Sequence, residues 1–268
     1  MRRMKLFTIM LMLALAVSAC GKAENKEGKD LVKESAIVEI DLSDEKITVD
    51  GEIVSENTEE AVSLANDIIY YEEGKDFTYG EGTEKDAHSL EQAAAHRVLH
   101  ITKAGTYRLS GKFTQGQIAV DLGEDAKDDP EAVVTLIMNG VDISCEVAPA
   151  VIFYSVYECG NTDTEKATKD VDTSLAGANV IIADDTENII QGSYVERIYK
   201  PDSVVLNEDK TAVEDAKKLH KYDGAFYSKM SMNINGGEKN TGVLNIYAEN
   251  EGLDSELHMT INGGNINI

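Results

Sequence analysis

The sequence predicts an all-β fold built as a solenoid, in which short coils of chain stack on one another. The main observation is a unit that occurs twice near the C-terminus, at 228–237 and again at 255–264. In both copies apolar residues alternate with polar ones, which is the period of a strand with one buried face. Each copy ends in Asn-Gly-Gly, a combination typical of corners that need φ above zero. A repeat of about 27 residues predicts coils that bury their apolar faces only by stacking.

A β-hairpin is the alternative interpretation of this pair, and it requires the two copies to lie antiparallel. The Gly-Gly corners and the equal register of the copies favour parallel stacking.

Strand patterns also precede the repeat along most of the chain, with glycine or acidic turns between them. They are 37–42, 47–51, 97–102, 106–110, 117–122, 133–138, 141–143, 151–154 and 179–183. Two insertions, 56–96 and 192–221, interrupt the pattern. Within them we predict a helix over 59–69, a solvated excursion over 72–91, a helical turn at 92–96, and a second helix over 211–220.

The N-terminus reads as a lipoprotein signal. A basic start with Arg2, Arg3 and Lys5 precedes an apolar stretch that is too short to span a bilayer. The segment 17–21, Val-Ser-Ala-Cys-Gly, looks like a bacterial lipobox, which implies a signal peptide at 1–19 and diacylglycerol on Cys20. Ordinary secretion with an incidental cysteine is the alternative. The prediction is export and lipid anchoring to the bacterial membrane, facing outside, because two acyl chains anchor stably.

Composition then sets the domain boundaries and limits the partners. Residues 20–35 are a charged tether too poor in apolar residues to fold, and 36–268 form the predicted domain. The formal net charge of −24 argues against nucleic acid and against an anionic lipid surface as partners.

Cys145 and Cys159 either form a disulfide or stay as buried thiols. Without a CxxC or a Cys/His cluster, no zinc or redox site is predicted.

Several runs together resemble a bacterial, clostridial-type family of cell-surface carbohydrate-binding domains. The runs are ITKAGTYRLSG at 101–111, QIAV at 117–120, LIMNGVDI at 136–143, ADDTEN at 183–188, DGAFYSK at 223–229, NGG at 235–237, EGLDS at 251–255 and NGG at 262–264. The resemblance implies a right-handed parallel β-helix, export, affinity for plant-type polysaccharides including acidic pectic chains, and bound calcium.

This sequence departs from the family pattern in two places. The insertion at 56–96 is longer than expected, and the final rungs and cap are missing. We therefore expect a truncated fragment, or a last coil covered by another chain.

Candidate site residues follow from the chemistry of sugar binding. With no tryptophan in the chain, ring stacking on sugars would use tyrosine. The candidates are Tyr222, Tyr227 and Tyr247, with Tyr154 and Tyr157 as further rings.

Calcium takes six to eight oxygen ligands, and two acidic groups could supply some of them. The first is Asp184, Asp185 and Glu187 in one turn; the second is Asp223, Glu251 and Asp254 near stacked corners. Solvated acidic turns are the alternative interpretation of both.

Three functions remain open, and non-catalytic polysaccharide binding is the preferred one. A calcium-dependent polysaccharide lyase is the second, but it needs a strong base beside the metal. Arg97, Arg108 and Arg197 are the arginines beyond the leader, and none carries a lyase signature. A structural surface protein that binds another protein is the third.

Overall fold

The structure is a computed structural model that describes residues 36–160 and 171–268. All of them belong to one unit of the chain, Ser35–Ile268. Strands make up 48% of the structure and helices 7%, which confirms the predicted all-β class. The predicted leader, Cys20 and the tether lie outside the described residues. No helix in the described ranges is long and apolar enough to cross a membrane.

The described chain contains twenty-one strands. In chain order they are β1 (Ile37–Leu42), β2 (Thr48–Val49), β3 (Glu52–Ile53), β4 (Val62–Ala65), β5 (Arg97–Ile101), β6 (Gly105–Phe113), β7 (Gly116–Asp121), β8 (Val134–Cys145), β9 (Val151–Ser155), β10 (Ala178–Ile182), β11 (Glu187–Gly192), β12 (Val195–Tyr199), β13 (Val205–Leu206), β14 (Val213–Asp215), β15 (Lys218–Tyr222), β16 (Gly224–Ser228), β17 (Met232–Gly236), β18 (Val243–Ala248), β19 (Glu251–Ser255), β20 (Met259–Ile261) and β21 (Asn265–Asn267). One α-helix, α1 (Leu90–Ala94), and three short 3-10 helices, Glu124–Asp128, Thr173–Leu175 and Pro201–Ser203, complete the described elements.

The first sheet has eleven strands, and its central strands pair in parallel in the order β20-β17-β10-β8-β6-β1. The long strand β8 pairs β10 with its first half and β11 with its second, and β18 and β21 continue that branch. Tyr107, Leu136, Val180 and Ile234 are aligned by the register of neighbouring strands. These four side chains are buried, so each pass of the chain adds one apolar residue to a continuous row.

The second sheet has six strands in the order β19-β16-β9-β7-β5-β4, and all pairs except β4–β5 are parallel. Its register aligns Leu99, Ile118, Val151 and Phe226, each fully buried. Side chains of the two sheets form one hydrophobic core. Successive side chains of a strand point to opposite faces of the sheet, so the face of the second sheet that points away from this core can carry a site.

The two copies of the repeat lie parallel, in the predicted register. Met232 pairs with Met259 and Ile234 with Ile261, which excludes the hairpin. The reason for the glycines differs between the corners. Gly264 has φ of +89°, as predicted. Gly237 does not have a positive φ; instead, a Cβ there would lie 2.5 Å from Cγ of Asp184, so close approach requires the glycine.

The predictions for the two insertions were partly wrong. The predicted helix over 59–69 contains β4 instead, which pairs antiparallel with β5 and buries Val62 and Leu64. The predicted helix over 211–220 contains β14 and the start of β15, which pair with β13 and β12. In both cases strand pairing elsewhere in the fold overrides a pattern that suits either structure.

The helical turn predicted at 92–96 is confirmed, shifted by two residues, as α1. Its N-cap Ser89 accepts a hydrogen bond from the backbone of Gln92 (3.1 Å), and Gln92 accepts one from the backbone of Ser89 (2.8 Å). This capping box explains the earlier start.

Cys145 and Cys159 are free thiols, and Cys145 is buried. Of the two alternatives left open by the sequence, the disulfide is therefore not formed.

Candidate functional site

The first predicted acidic group holds a turn together. The Asp184 carboxylate accepts hydrogen bonds from the backbone nitrogens of Lys239 (2.8 Å) and Thr241 (3.1 Å). Asp185 forms an ion pair with Lys239 (2.8 Å) and accepts from the Thr241 hydroxyl (3.0 Å). These donors lower the pKa of both carboxyls, with the Lys239 backbone the largest cause for Asp184 and the Lys239 side chain for Asp185. Glu187 accepts from the amide of Asn245 (3.0 Å). Their oxygens are already bound to donors, which does not fit a calcium site.

The second predicted acidic group does come together. Strand register places Glu251 beside Gly224 and Asp254 beside Tyr227. Burial raises the pKa of Asp254, and the charges of Glu251 and Asp223 raise it further. Asp223 is itself paired with Lys221 at 2.9 Å. Two carboxylates and a lysine-paired third fall short of six to eight oxygens. Among the described residues no group of three or more His, Cys, Asp or Glu could hold a metal ion.

The predicted tyrosines lie in two different environments. Tyr222 is 3% exposed, and its ring packs against Tyr154 (centroids 5.6 Å apart) and Tyr227 (5.3 Å). Tyr227 is 1% exposed and donates its hydroxyl to the Lys221 carbonyl oxygen (3.1 Å). Burial leaves little of either ring open to a sugar, but Tyr222 still lines a cavity of about 670 Å³ together with Tyr154. Tyr247 is 59% exposed on β18, beside Gln191.

A cleft that sequence reasoning missed lies between the two insertions and one face of the second sheet. We call it the insertion cleft, and it has two lobes. Lobe 1 has a volume of about 730 Å³ and lobe 2 about 670 Å³. Ile69, Leu219 and His220 line both lobes, so the two lobes are adjacent. Each volume lies within the range of small-molecule sites.

Direct backbone contacts between the insertions build the wall of lobe 1. Gly80 and Ile198 form an antiparallel bridge. The Tyr199 nitrogen donates to the Tyr79 carbonyl (2.8 Å), and the Glu81 nitrogen donates to the Arg197 carbonyl (2.9 Å). A Cβ on Gly80 would lie 2.2 Å from that Arg197 oxygen. Glycine at this position therefore permits the junction, and part of the predicted solvated excursion is packed structure.

Tyrosine side chains form part of the lining of lobe 1. Tyr70 is half-buried and lines the lobe. Within the described residues its ring has no aromatic contact and its hydroxyl no hydrogen-bond partner. Tyr79 packs edge-on against Tyr71 (5.1 Å), and the Lys75 ammonium lies 5.2 Å from its ring centroid. Burial, followed by Glu72, raises the pKa of Tyr79 to about 12. Tyr79 is thus held in place and neutral. Tyr70 also packs partly against the hydrophobic core, but its ring and hydroxyl keep no specific partner in the described chain and are available to a ligand.

Two histidines, His100 and His220, line lobe 2 together with charged side chains. His100 on β5 pairs with Asp67 of the first insertion, with 2.8 Å between Nε2 and Oδ1. His220 Nδ1 lies 2.8 Å from the Tyr222 hydroxyl. Burial, followed by the charge of Lys229, lowers the pKa of His220.

No carboxylate of the described chain lies within ion-pair distance of the Lys229 ammonium, which lines lobe 2. Lys127, which also lines the lobe, is paired with Asp128. Lys229 thus differs from other lysines without an ion pair among the described residues, such as Lys85, by its place in the lobe.

Comparison with known protein families gives a match over most of the described domain. A family model described as "Carbohydrate-binding domain-containing protein" matches residues 95–268. The chain belongs to this family. No curated protein matches the chain, and no solved structure matches it.

The matched part of this carbohydrate-binding domain includes the floor of lobe 2, which comes from β5, β7 and β9, and the whole second insertion. The first insertion, which supplies Tyr70 and Tyr79, precedes the match. One sequence signal could have revealed the cleft. Residues 68–71 of the first insertion are all apolar or aromatic, and the second insertion has Val195, Ile198 and Tyr199 close together; a solvated loop does not need such residues.

Proposed function

We propose that this carbohydrate-binding domain holds polysaccharide in the insertion cleft without cleaving it. The observation that carries the proposal is a pair of adjacent lobes. One is lined by Tyr70, whose ring and hydroxyl have no specific partner in the described chain, and the other by Lys229, whose ammonium has no carboxylate partner there. Sugar rings present apolar C–H faces that pack on aromatic rings, and a few convergent polar groups then fix the orientation.

The ligand class we propose is plant cell-wall polysaccharide of the acidic, pectin-like kind. A charge of −24 repels a polyanion. Lys229 supports a local exception, because an ammonium without a carboxylate partner can form a charge-assisted hydrogen bond with a uronate. The carboxylates of Asp67, Asp121 and Glu124 also line lobe 2 and limit how much anionic charge it accepts.

Binding without cleavage is supported by the positions of the candidate bases. Arg108 is bound to Glu39 at 2.5 Å, and Arg197 to Glu81 at 3.1 Å. Neither of these guanidiniums, nor that of Arg97, lines the insertion cleft. A lyase remains the alternative, and its unsaturated uronate product absorbs ultraviolet light. Incubation with polygalacturonate should therefore leave the absorbance unchanged.

We further propose that the domain is a right-handed parallel β-helix, which the parallel order of successive strands supports. An experimental structure would test the hand of its coils.

The proposed location is the outer face of the bacterial membrane, with a lipid on Cys20. Cys20→Ser should abolish incorporation of labelled palmitate, and retained labelling would contradict the anchor.

Calcium assistance stays a prediction for the Asp223, Glu251 and Asp254 group. Calcium should raise the melting temperature and the glycan affinity relative to chelator. Equal values in both conditions would remove calcium from the proposal and leave the cleft untouched.

Affinity electrophoresis against a panel of plant polysaccharides, with calcium and with chelator, tests the proposal as a whole. We expect retardation by at least one polymer, and less retardation of Lys229→Ala. The matched control is Lys85→Ala, an exposed lysine of the first insertion outside the cleft, which should migrate as the unaltered protein does. A protein that no polymer retards would favour the alternative of a surface protein that binds another protein.

A further inference from the structure

Lobe 1 is built largely by residues that the family match does not include. Its lining from Ile68 to Tyr79 belongs to the first insertion, and the match begins at residue 95. Lobe 2, in contrast, has its floor on matched strands. The cleft therefore combines a part that belongs to the family domain with a part that this chain adds.

The charges that line lobe 1 are matched locally. Lys75 pairs with Glu72 at 2.7 Å. Asp76 accepts hydrogen bonds from the backbone and hydroxyl of Thr78, at 2.8 and 2.6 Å. Tyr79 keeps its proton, because burial raises its pKa. A lobe with satisfied charges and an available aromatic ring suits a neutral ligand better than an ionised one.

We propose that lobe 1 is a specificity-determining subsite that takes the apolar face of a neutral pyranose against Tyr70. This inference rests on the proposed function and extends it to a second sugar position. A glycan then occupies both lobes, with a neutral unit beside Tyr70 and the adjacent units in lobe 2. Ile69, Leu219 and His220 line both lobes, so the two positions are adjacent.

The junction between the insertions makes this subsite preorganised. The Gly80–Ile198 bridge and the Tyr199–Tyr79 hydrogen bond fix part of the wall of lobe 1 before a ligand binds. A fixed wall reduces the ordering that binding requires, and lost freedom on association is a major cost.

Isothermal titration calorimetry of the protein with oligosaccharides tests the subsite. The probes are cello-oligosaccharides and oligogalacturonides, each from disaccharide to hexasaccharide. For cello-oligosaccharides we expect affinity to rise with length until both lobes are filled; for oligogalacturonides it should stop rising once lobe 2 is filled. Tyr70→Ala should weaken the longer cello-oligosaccharides about tenfold, with little effect on the shortest. Tyr70→Phe should keep most of the affinity, because it keeps the ring.

Phe77→Ala is the matched control, since Phe77 is 48% exposed in the same insertion and does not line the cleft. Its affinities should equal those of the unaltered protein. If Tyr70→Ala keeps full affinity at every length while Lys229→Ala weakens binding, the subsite is overturned and the proposed function stands. If no oligomer binds the unaltered protein, the proposed function is overturned, and the subsite with it.

Discussion

The repeat provides a matched pair of substitutions that measure stacking directly. Met232 and Met259 occupy the same register position in neighbouring strands. Met232 is fully buried, whereas Met259 is 38% exposed. Truncation of a fully buried methionine to alanine costs about 2–5 kcal/mol, because it adds a cavity to the lost transfer energy.

Met259→Ala should cost less, about 0.5–1.5 kcal/mol, since part of its surface is already in water and no closed cavity forms. Equilibrium unfolding in urea, followed by circular dichroism, gives both values from the shift in midpoint at constant slope. Equal losses for the two variants would refute the argument that β17 is interior and β20 is not. So would a loss below about 0.5 kcal/mol for Met232→Ala.

Three further predictions concern a corner and two titrating groups. Gly237→Ala should destabilise by about 1–3 kcal/mol, because its Cβ would meet the Asp184 carboxylate; urea unfolding measures it. Burial lowers the pKa of His88. Its contribution to stability is therefore present above pH about 6.5 and is lost as the pH falls through the pKa of the folded state. His88→Gln should flatten the pH dependence of the urea unfolding midpoint. Burial and neighbouring charges raise the pKa of Asp254, so Asp254→Asn should raise the melting temperature at neutral pH.

Each of these has its own control. The Gly237→Ala penalty should shrink in an Asp184→Ala background, and an unchanged penalty would exclude the contact as its cause. An unchanged pH profile in His88→Gln would assign the acid sensitivity to other groups. Calcium should stabilise the unaltered protein more than Asp254→Asn, and equal stabilisation would place any calcium elsewhere.

Much of the strand framework could be predicted from the sequence, because period-two patterns and glycine corners are local signals. The alignment of Met232 with Met259 is one example, since both copies present the same pattern to their neighbours. The corner at Gly237 shows the limit of such reasoning. A glycine is required there because the Asp184 side chain lies too close for a Cβ. Asp184 is more than fifty positions earlier in the chain, and only the folded structure brings the two residues together.

The candidate site was much harder to predict than the framework. Tyr227 has the right side chain for sugar stacking, but burial against Tyr222 takes its ring out of reach. Tyr222 does line lobe 2, although only 3% of it is exposed. Tyr70 lies in a segment whose apolar residues suit a helix or a strand equally well. Its availability depends on the partner insertion, which no local pattern reveals.

The bridge between Gly80 and Ile198 also has a consequence for the time course of folding. It joins positions about 118 residues apart, and closing so long a segment of chain is slow and costly in entropy. The strands between these positions have to assemble first and bring the two ends into range. We therefore expect the ability to recognise a ligand to appear late in refolding, after most of the circular dichroism signal has returned.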